Sequence, residues 1–209
     1  YALSDAETGL QTCFAALKAD FEQKYAQKLT TVATIGISAM MHGYMAFDKN
    51  DKLLVPFRTW RNTMTAQAAG ELTKLLGFNI PQRWSIAHLY QAVLNKEAHV
   101  PYIAYINTLA GYVHKRLTDR FEVGVGEASG IFPVEGIGYK KEYCEPTEKS
   151  LAEKGFDHKL KDILPAVRNA GEKGAVLTEE GAKFLDPEGH LKAGVPVCPP
   201  EGDAGTGMV

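Results

Sequence analysis

VATIGISAMMHG, residues 32–43, is the stretch on which the fold turns. Val32 to Ser38 form a continuous β-rich run between polar residues, the pattern of a strand buried on both faces in a largely parallel sheet. This reading puts the chain in the α/β class. It also places Met40, Met41, His42 and Gly43 at the strand's carboxyl end, where open α/β sheets hold ligands.

Working outward, the segments on either side alternate in kind. Ser4-Asp5-Ala6-Glu7 has the spacing of a capping box, and Leu10, Phe14, Leu17 and Phe21 follow at helical intervals, predicting an amphipathic helix to about Lys28. After Gly43, Tyr44 to Phe47 and Leu53 to Phe57 read as a hairpin around a turn at Asp48 to Asp51. Helices are expected over 63–76, closed by Gly77, over 84–94 and over 105–117. Residues 123–132 read as a loop, and 138–173 as a solvated face with short helices. A short strand at Ala175 and Val176, a helix over 178–185 and a last strand at Val195 to Cys198 complete the alternation.

The second informative stretch is GVPVCPPEGDAGTG, residues 194–207. Pro199 and Pro200 cannot extend a hydrogen-bond ladder, so a turn is expected there. Gly202, Gly205 and Gly207 then let the backbone pass close to a ligand, around the lone carboxylate of Asp203. At a helix start, Asp203 would be kept ionised and an anion such as phosphate favoured. An ionised carboxylate facing phosphate is what a hydroxyl needs when it attacks a phosphoryl group. Asp before small residues also reads as an N-cap or an Asx-turn, and the residues alone leave both readings open.

Composition narrows the function classes. The 209 residues carry a formal net charge of -2, which gives no electrostatic reason to expect nucleic acid or an anionic membrane as partner. No apolar run is long enough to span a bilayer and no leader pattern opens the chain, so a cytoplasmic protein is expected. Cys13, Cys144 and Cys198 are odd in number and far apart, which argues against a disulfide framework or a zinc site. One domain is expected. The chain opens at Tyr1 without an initiator Met and stops at Val209 inside the element that Asp203 should open, so a longer protein is expected around it.

Among the candidate side chains, His42 is suited to hydrogen-bonding a ligand, or to being a satisfied core histidine. Nothing stands at metal-ligand spacing from it. Trp60, Arg61 and Asn62 supply an aromatic face, a planar fork of donors and an amide, the mixture a polyhydroxyl substrate needs; a core Trp with Arg and Asn capping the next helix is the alternative. The glycines at 124, 126 and 130 miss the dinucleotide spacing, because the third is one residue late. Ser129 is not in a nucleophile elbow, since Glu127 stands where Gly is required.

In order and spacing these stretches resemble the FGGY family of carbohydrate kinases. Met41-His42-Gly43 is similar to the "MHG" stretch of its xylulokinase branch, in which Met and His contact the sugar. Trp60-Arg61-Asn62-Thr63 resembles the following "WND.R" stretch, with Asn62 where many members have Asp. Thr108 to Phe132 resembles "DYLRYRLTG…SDASGT", and Leu164-Pro165, Gly171-Glu172, Gly174, Leu177-Thr178, Ala193-Gly194 and Pro196-Val197 track the run into the "GDN/GDQ" turn, matched here by Gly202-Asp203-Ala204. The resemblance implies a ribonuclease H-like, actin-like ATPase domain: a mixed sheet flanked by helices, here without its first hairpin. It implies Asp203 as catalytic base, Met41, His42, Trp60, Arg61 and Asn62 as sugar contacts, and Gly202 and Gly205 in the phosphate turn. ATP and Mg²⁺ are implied as cofactors. The implied partners are a sugar and the chain's own C-terminal ATP-binding domain, with a homodimer as a further candidate. On this resemblance the substrate is a ketopentose such as xylulose; gluconate, a deoxyketose, a polyol, or a non-catalytic sugar-sensing role are the alternatives.

Overall fold

The computed structural model describes residues 2–172 and 174–207, so the expectations placed on Tyr1 and Val209 fall outside the described residues. Helix α1 spans Leu3–Tyr25 and stops where Ala26 adopts a left-handed φ of 51°. No side chain caps its start, so Ser4 is inside the helix and the capping box does not form. Its inward face is shallow: Leu17 is half exposed, and the helix's one buried side chain is Lys18, paired with Asp186 at 2.5 Å.

The 32–38 run is extended but forms little regular sheet. Only Ser38–Ala39 (β1) is strand, with Ile35 bridged in parallel to Val197. Far from being buried on both faces, the run holds only exposed and half-buried residues, and among the described residues its strand pairing is along one edge. Burial on both faces belongs instead to β2 (Met45–Phe47), the first arm of the expected hairpin. Its second arm reduces to bridges, Leu53 to Phe47 and Arg58 to Tyr44.

Helix α2 (Ala66–Leu76) ends at Gly77, whose φ of 60° is the left-handed stop read from sequence. Helix α3 (Ser85–Leu94) is buried almost all round. After a 3₁₀ turn at Val100–Tyr102 the chain departs from expectation: Tyr105–Asn107 is strand β3, antiparallel to β2, and the helix α4 begins only at Leu109–Thr118. Thr108 separates them, its hydroxyl accepting from the Gly111 amide. Residues 122–128 are likewise not a loop. Glu122–Gly124 (β4) leads into a single helical turn, Val125–Ala128 (α5).

The hairpin Val134–Glu135 (β5) and Gly138–Tyr139 (β6) precedes helices Lys141–Glu153 (α6) and Leu160–Ile163 (α7), and Ala166–Arg168 (β7) pairs in parallel with β4. Ala175–Val176 (β8) pairs antiparallel with Pro196–Val197 (β9) across helix α8 (Glu179–Leu185), which Thr178 caps. Pro199 and Pro200 do not end the ladder. The partner offset between Ile35/Val197 and Ser38/Glu201 grows by one residue across them, a bulge placed where no N–H is available to donate. Glu201–Gly202 (β10) then runs parallel to β1 and opens into Asp203–Thr206 (α9).

Two cores meet at β2. Tyr44 and Ala46 join the first, with α2, α3, Val123 and Phe132; Met45 and Phe47 join the second, with α4, α8 and Val197. Alternate side chains of a strand point to opposite faces, so three buried residues bind both layers together. The three cysteines are free. Among the described residues no helix is long and apolar enough to cross a membrane.

Candidate active site

The parallel pairing of β1 with β10 sets two chain exits side by side: Met40 to Gly43 after β1, and Asp203 after β10. The Met41 amide donates to Asp203 Oδ1 at 2.9 Å, and the Ala204 amide donates to the same oxygen at 3.0 Å. Oδ2 has no protein hydrogen bond among the described residues. Asp203 is exposed and opens α9, a single described turn closed by the Gly207 amide on the Asp203 carbonyl. One oxygen is therefore held in place and the other is left to accept a proton or a hydrogen bond.

His42 sits in the left-handed region, at φ 68°. Arg83 Nε donates to its Nε2 at 3.1 Å, which makes Nε2 the acceptor and leaves Nδ1 to carry the proton toward the Gly130 carbonyl at 3.4 Å. Burial, helped by the Arg83 charge, holds this imidazole below its usual range against the pull of Gly130 and Asp203, consistent with a neutral ring. A side chain on Gly130 would run into His42 and Met41. Gly202 is crowded in the same way: a Cβ there would lie 2.5 Å from Glu127 Oε2 and 2.7 Å from Met41 Cγ. Gly205, by contrast, has open space around it.

Trp60 is 46% exposed, so it is not the core tryptophan that the alternative reading required. The Arg61 guanidinium lies over its ring at 5.3 Å. Nor does Asn62 cap the next helix: its Oδ1 accepts from the Met64 amide at 3.1 Å in the turn before it, and α2 starts at Ala66 with no side-chain cap. Trp60 and Asn62 line an open groove of about 790 Å³ with Thr63, Lys74, Gln82 and Arg83. Arg83 thus joins that groove to His42, and through Met41 to Asp203. Asp203 and Arg61 are not part of the groove lining.

Sequence reasoning overlooked three participants. Arg83 stands out only once its contact with His42 is seen. Glu201 caps the turn α5, accepting from the Glu127 amide at 2.7 Å and the Gly126 amide at 3.4 Å. Glu127 itself lies fully buried beneath Gly202. The last two had a faint signal, a carboxylate within two residues of Gly202 and another in a glycine-rich turn.

The family model of the N-terminal domain of the FGGY family of carbohydrate kinases matches residues 1–209. The chain belongs to the FGGY carbohydrate kinases. Solved structures agree on the fold. The xylulose kinase of Rhodospirillum rubrum aligns with a TM-score of 0.71 at 16% identity, covering 96% of this chain and 40% of that one. A protein described as a xyloylose kinase from Brucella ovis gives 0.67 at 20% identity, covering 91% and 37%. The gluconate kinase of Lactobacillus acidophilus gives 0.67 at 18% identity, covering 93% and 39%. The fold is thus the ribonuclease H-like α/β domain of the actin-like ATPases, and this FGGY chain spans about two fifths of the length of these structures. No curated protein sequence matches the chain.

Proposed function

We propose that this chain is the sugar-binding domain of a cytoplasmic, ATP-dependent sugar kinase whose ATP-binding domain lies C-terminal to residues 1–209. The observation that carries the reading is Asp203, with Oδ1 pinned by two amides and Oδ2 open beside Met41 and His42. In the reaction, a sugar hydroxyl oxygen forms a bond to the γ-phosphorus, the bond from that phosphorus to the β-phosphate oxygen breaks, and the hydroxyl proton passes to Asp203 Oδ2. Met41 and His42 position the sugar, with Trp60, Arg61 and Asn62 on its other side, and the Gly202 backbone allows close approach. His42 does so as an oriented neutral ring, with Arg83 bonded to the ring nitrogen nearest the groove.

ATP supplies the phosphoryl group. Mg²⁺ would offset charge on the phosphates of ATP; among the described residues no group of three His, Cys, Asp or Glu is placed to hold an ion. The 209-residue chain alone is expected to be catalytically silent.

The leading substrate is a ketopentose such as xylulose, on the strength of the Met41-His42-Gly43 stretch. One observation favours a second reading, a sugar acid: the groove is lined by Arg83 and Lys74 and by no carboxylate. ADP release by the complete protein with ATP, Mg²⁺ and a panel of ketopentoses, polyols and sugar acids tests the proposal. Sugar-dependent release that falls about 10²- to 10⁴-fold in Asp203→Ala, with sugar KM nearly constant, is the expected result. Full turnover in that variant overturns the assignment of Asp203, and silence across the panel favours a sugar-sensing role.

A further inference from the structure

We propose that Glu127 is a positioning residue of the Asp203 turn, a buried carboxyl that fills the space beneath Gly202 and fixes where Asp203 stands. The consequence for turnover rests on the kinase reading above; the buried acid itself does not.

Three carboxyl groups converge here from separate parts of the chain. Glu201, on β10, is held by the amides of Gly126 and Glu127. Asp203 follows two residues later and is held by the Met41 amide. Between them Glu127 is wholly shielded from solvent; among the described residues the polar side chain that reaches it is the Thr108 hydroxyl, and neither oxygen makes a close hydrogen bond. Among the described residues it has no counter-ion either. The cation on the strand packed against α5, Arg168 of β7, is bonded to Glu122 of β4 at 2.8 Å. The hydroxyl of Tyr139, on β6, is buried and unpartnered, and its ionisation is suppressed by burial and by Glu127.

A carboxylate so buried, with one hydroxyl to hold it and Glu201 and Asp203 beside it, carries a large desolvation penalty that a proton removes. Burial, with Glu201 and Asp203 adding and Thr108 opposing, pushes the Glu127 carboxyl up to about 8. The steric fit explains why the position is structural as well. Oε2 of Glu127 and Cγ of Met41 close over Gly202, so the turn has one position in which the Met41 amide meets Asp203. Ionised Glu127 would push against Glu201 and Asp203 and move that turn.

The sign of the pH effect follows. The folded state holds this proton more tightly than the unfolded state, so the contribution to stability is complete below about 4.5 and is lost as pH rises through about 8. The test uses the complete protein with Glu127→Gln and Glu127→Ala, read by melting temperature against pH and by kcat and KM against pH. Glu127→Gln, neutral and of the same shape, is expected to melt higher than the parent above neutral pH, with the difference growing from about pH 5 to pH 8. Glu127→Ala is expected to lose roughly 10- to 100-fold in kcat with little change in sugar KM. Glu127→Gln recovers most of that loss and moves the alkaline fall in kcat to higher pH. A Glu127→Gln protein whose melting and rate profiles both follow those of the parent overturns the proposal. Should Glu127→Ala fail to fold, Glu127→Gln carries the test alone. Should no sugar support ADP release, the kinase reading fails, and the melting profile still decides the role of Glu127.

Discussion

β2 and the 32–39 stretch lie close in sequence and differ in nearly everything that tertiary structure adds. β2 has three residues with no exposure, paired with β3 and covered by a core on each face. The 32–39 stretch is more β-rich, yet its residues alternate between half-buried and exposed, and regular pairing is confined to Ser38 and Ala39. The candidate site lies with the second. Met41, His42 and Asp203 leave the ends of a two-residue parallel pair, while β2 and α3 form the packed support behind them. In this domain, burial concentrates where the layers join, and the candidate site occupies the thinly covered edge.

The largest expected effect separates the two regions by readout. Asp203→Ala in the complete protein should reduce turnover by the orders of magnitude given above while leaving the melting temperature close to that of the parent. The exposed carboxylate contributes little burial, and its two amide donors stay near water. A large drop in melting temperature would break the comparison.

Leu89→Ala, in the fully buried α3, should do the reverse. Removing a core leucine destabilises by about 2–5 kcal/mol, read by denaturant unfolding, with the sugar KM of the surviving folded protein little changed. A cost under about 1 kcal/mol would mean that the support can collapse around the gap.

The support also contains a histidine that resists charging. His88 has no exposure, and both its ring nitrogens lack partners among the described residues. Burial, with the nearby Arg58 charge adding and Glu97 opposing, lowers it from 6.5 to about 4. The unfolded chain takes up this proton first as pH falls, so stability should decline between about 6.5 and 4, by up to roughly 3 kcal/mol. Acid unfolding of His88→Leu should be flatter across that window. An identical slope would assign the acid sensitivity to another group.

Trp60→Ala should have the smallest effect on stability, within about 0.5 kcal/mol, because nearly half of the side chain is in solvent. Its effect should appear instead as a raised sugar KM. An unchanged KM across the substrate panel would remove the groove beside Arg83 from the sugar site.

Much of this domain was legible in the sequence. Gly77 as a helix stop, the helices around 66–76 and 85–94, Thr178 at the start of α8, and the order of the family's stretches all follow from local preferences and spacing. Asp203, Met41 and His42 became candidates through the family resemblance, on top of a glycine-rich turn and a strand end that the residues themselves offered. The errors cluster where a short segment takes its conformation from a distant partner. Tyr105 to Asn107 carries a helical pattern but pairs with β2, and Glu122 to Gly124 lies in a loop-like run but pairs with β7.

The sequence by itself determined which residues can turn, cap and ionise, since φ preferences, side-chain donors and charge are properties of each residue and its near neighbours. Only the tertiary structure decided which strand is buried on both faces, that the ladder resumes past Pro199 and Pro200, that Arg83 engages His42, and that Glu127 lies shielded beneath Gly202. The physical reason is that burial and partner choice depend on what other parts of the chain bring to a position. Glu127 shows it most plainly: an ordinary acidic residue in the sequence becomes a solvent-free carboxyl because β10 closes over it.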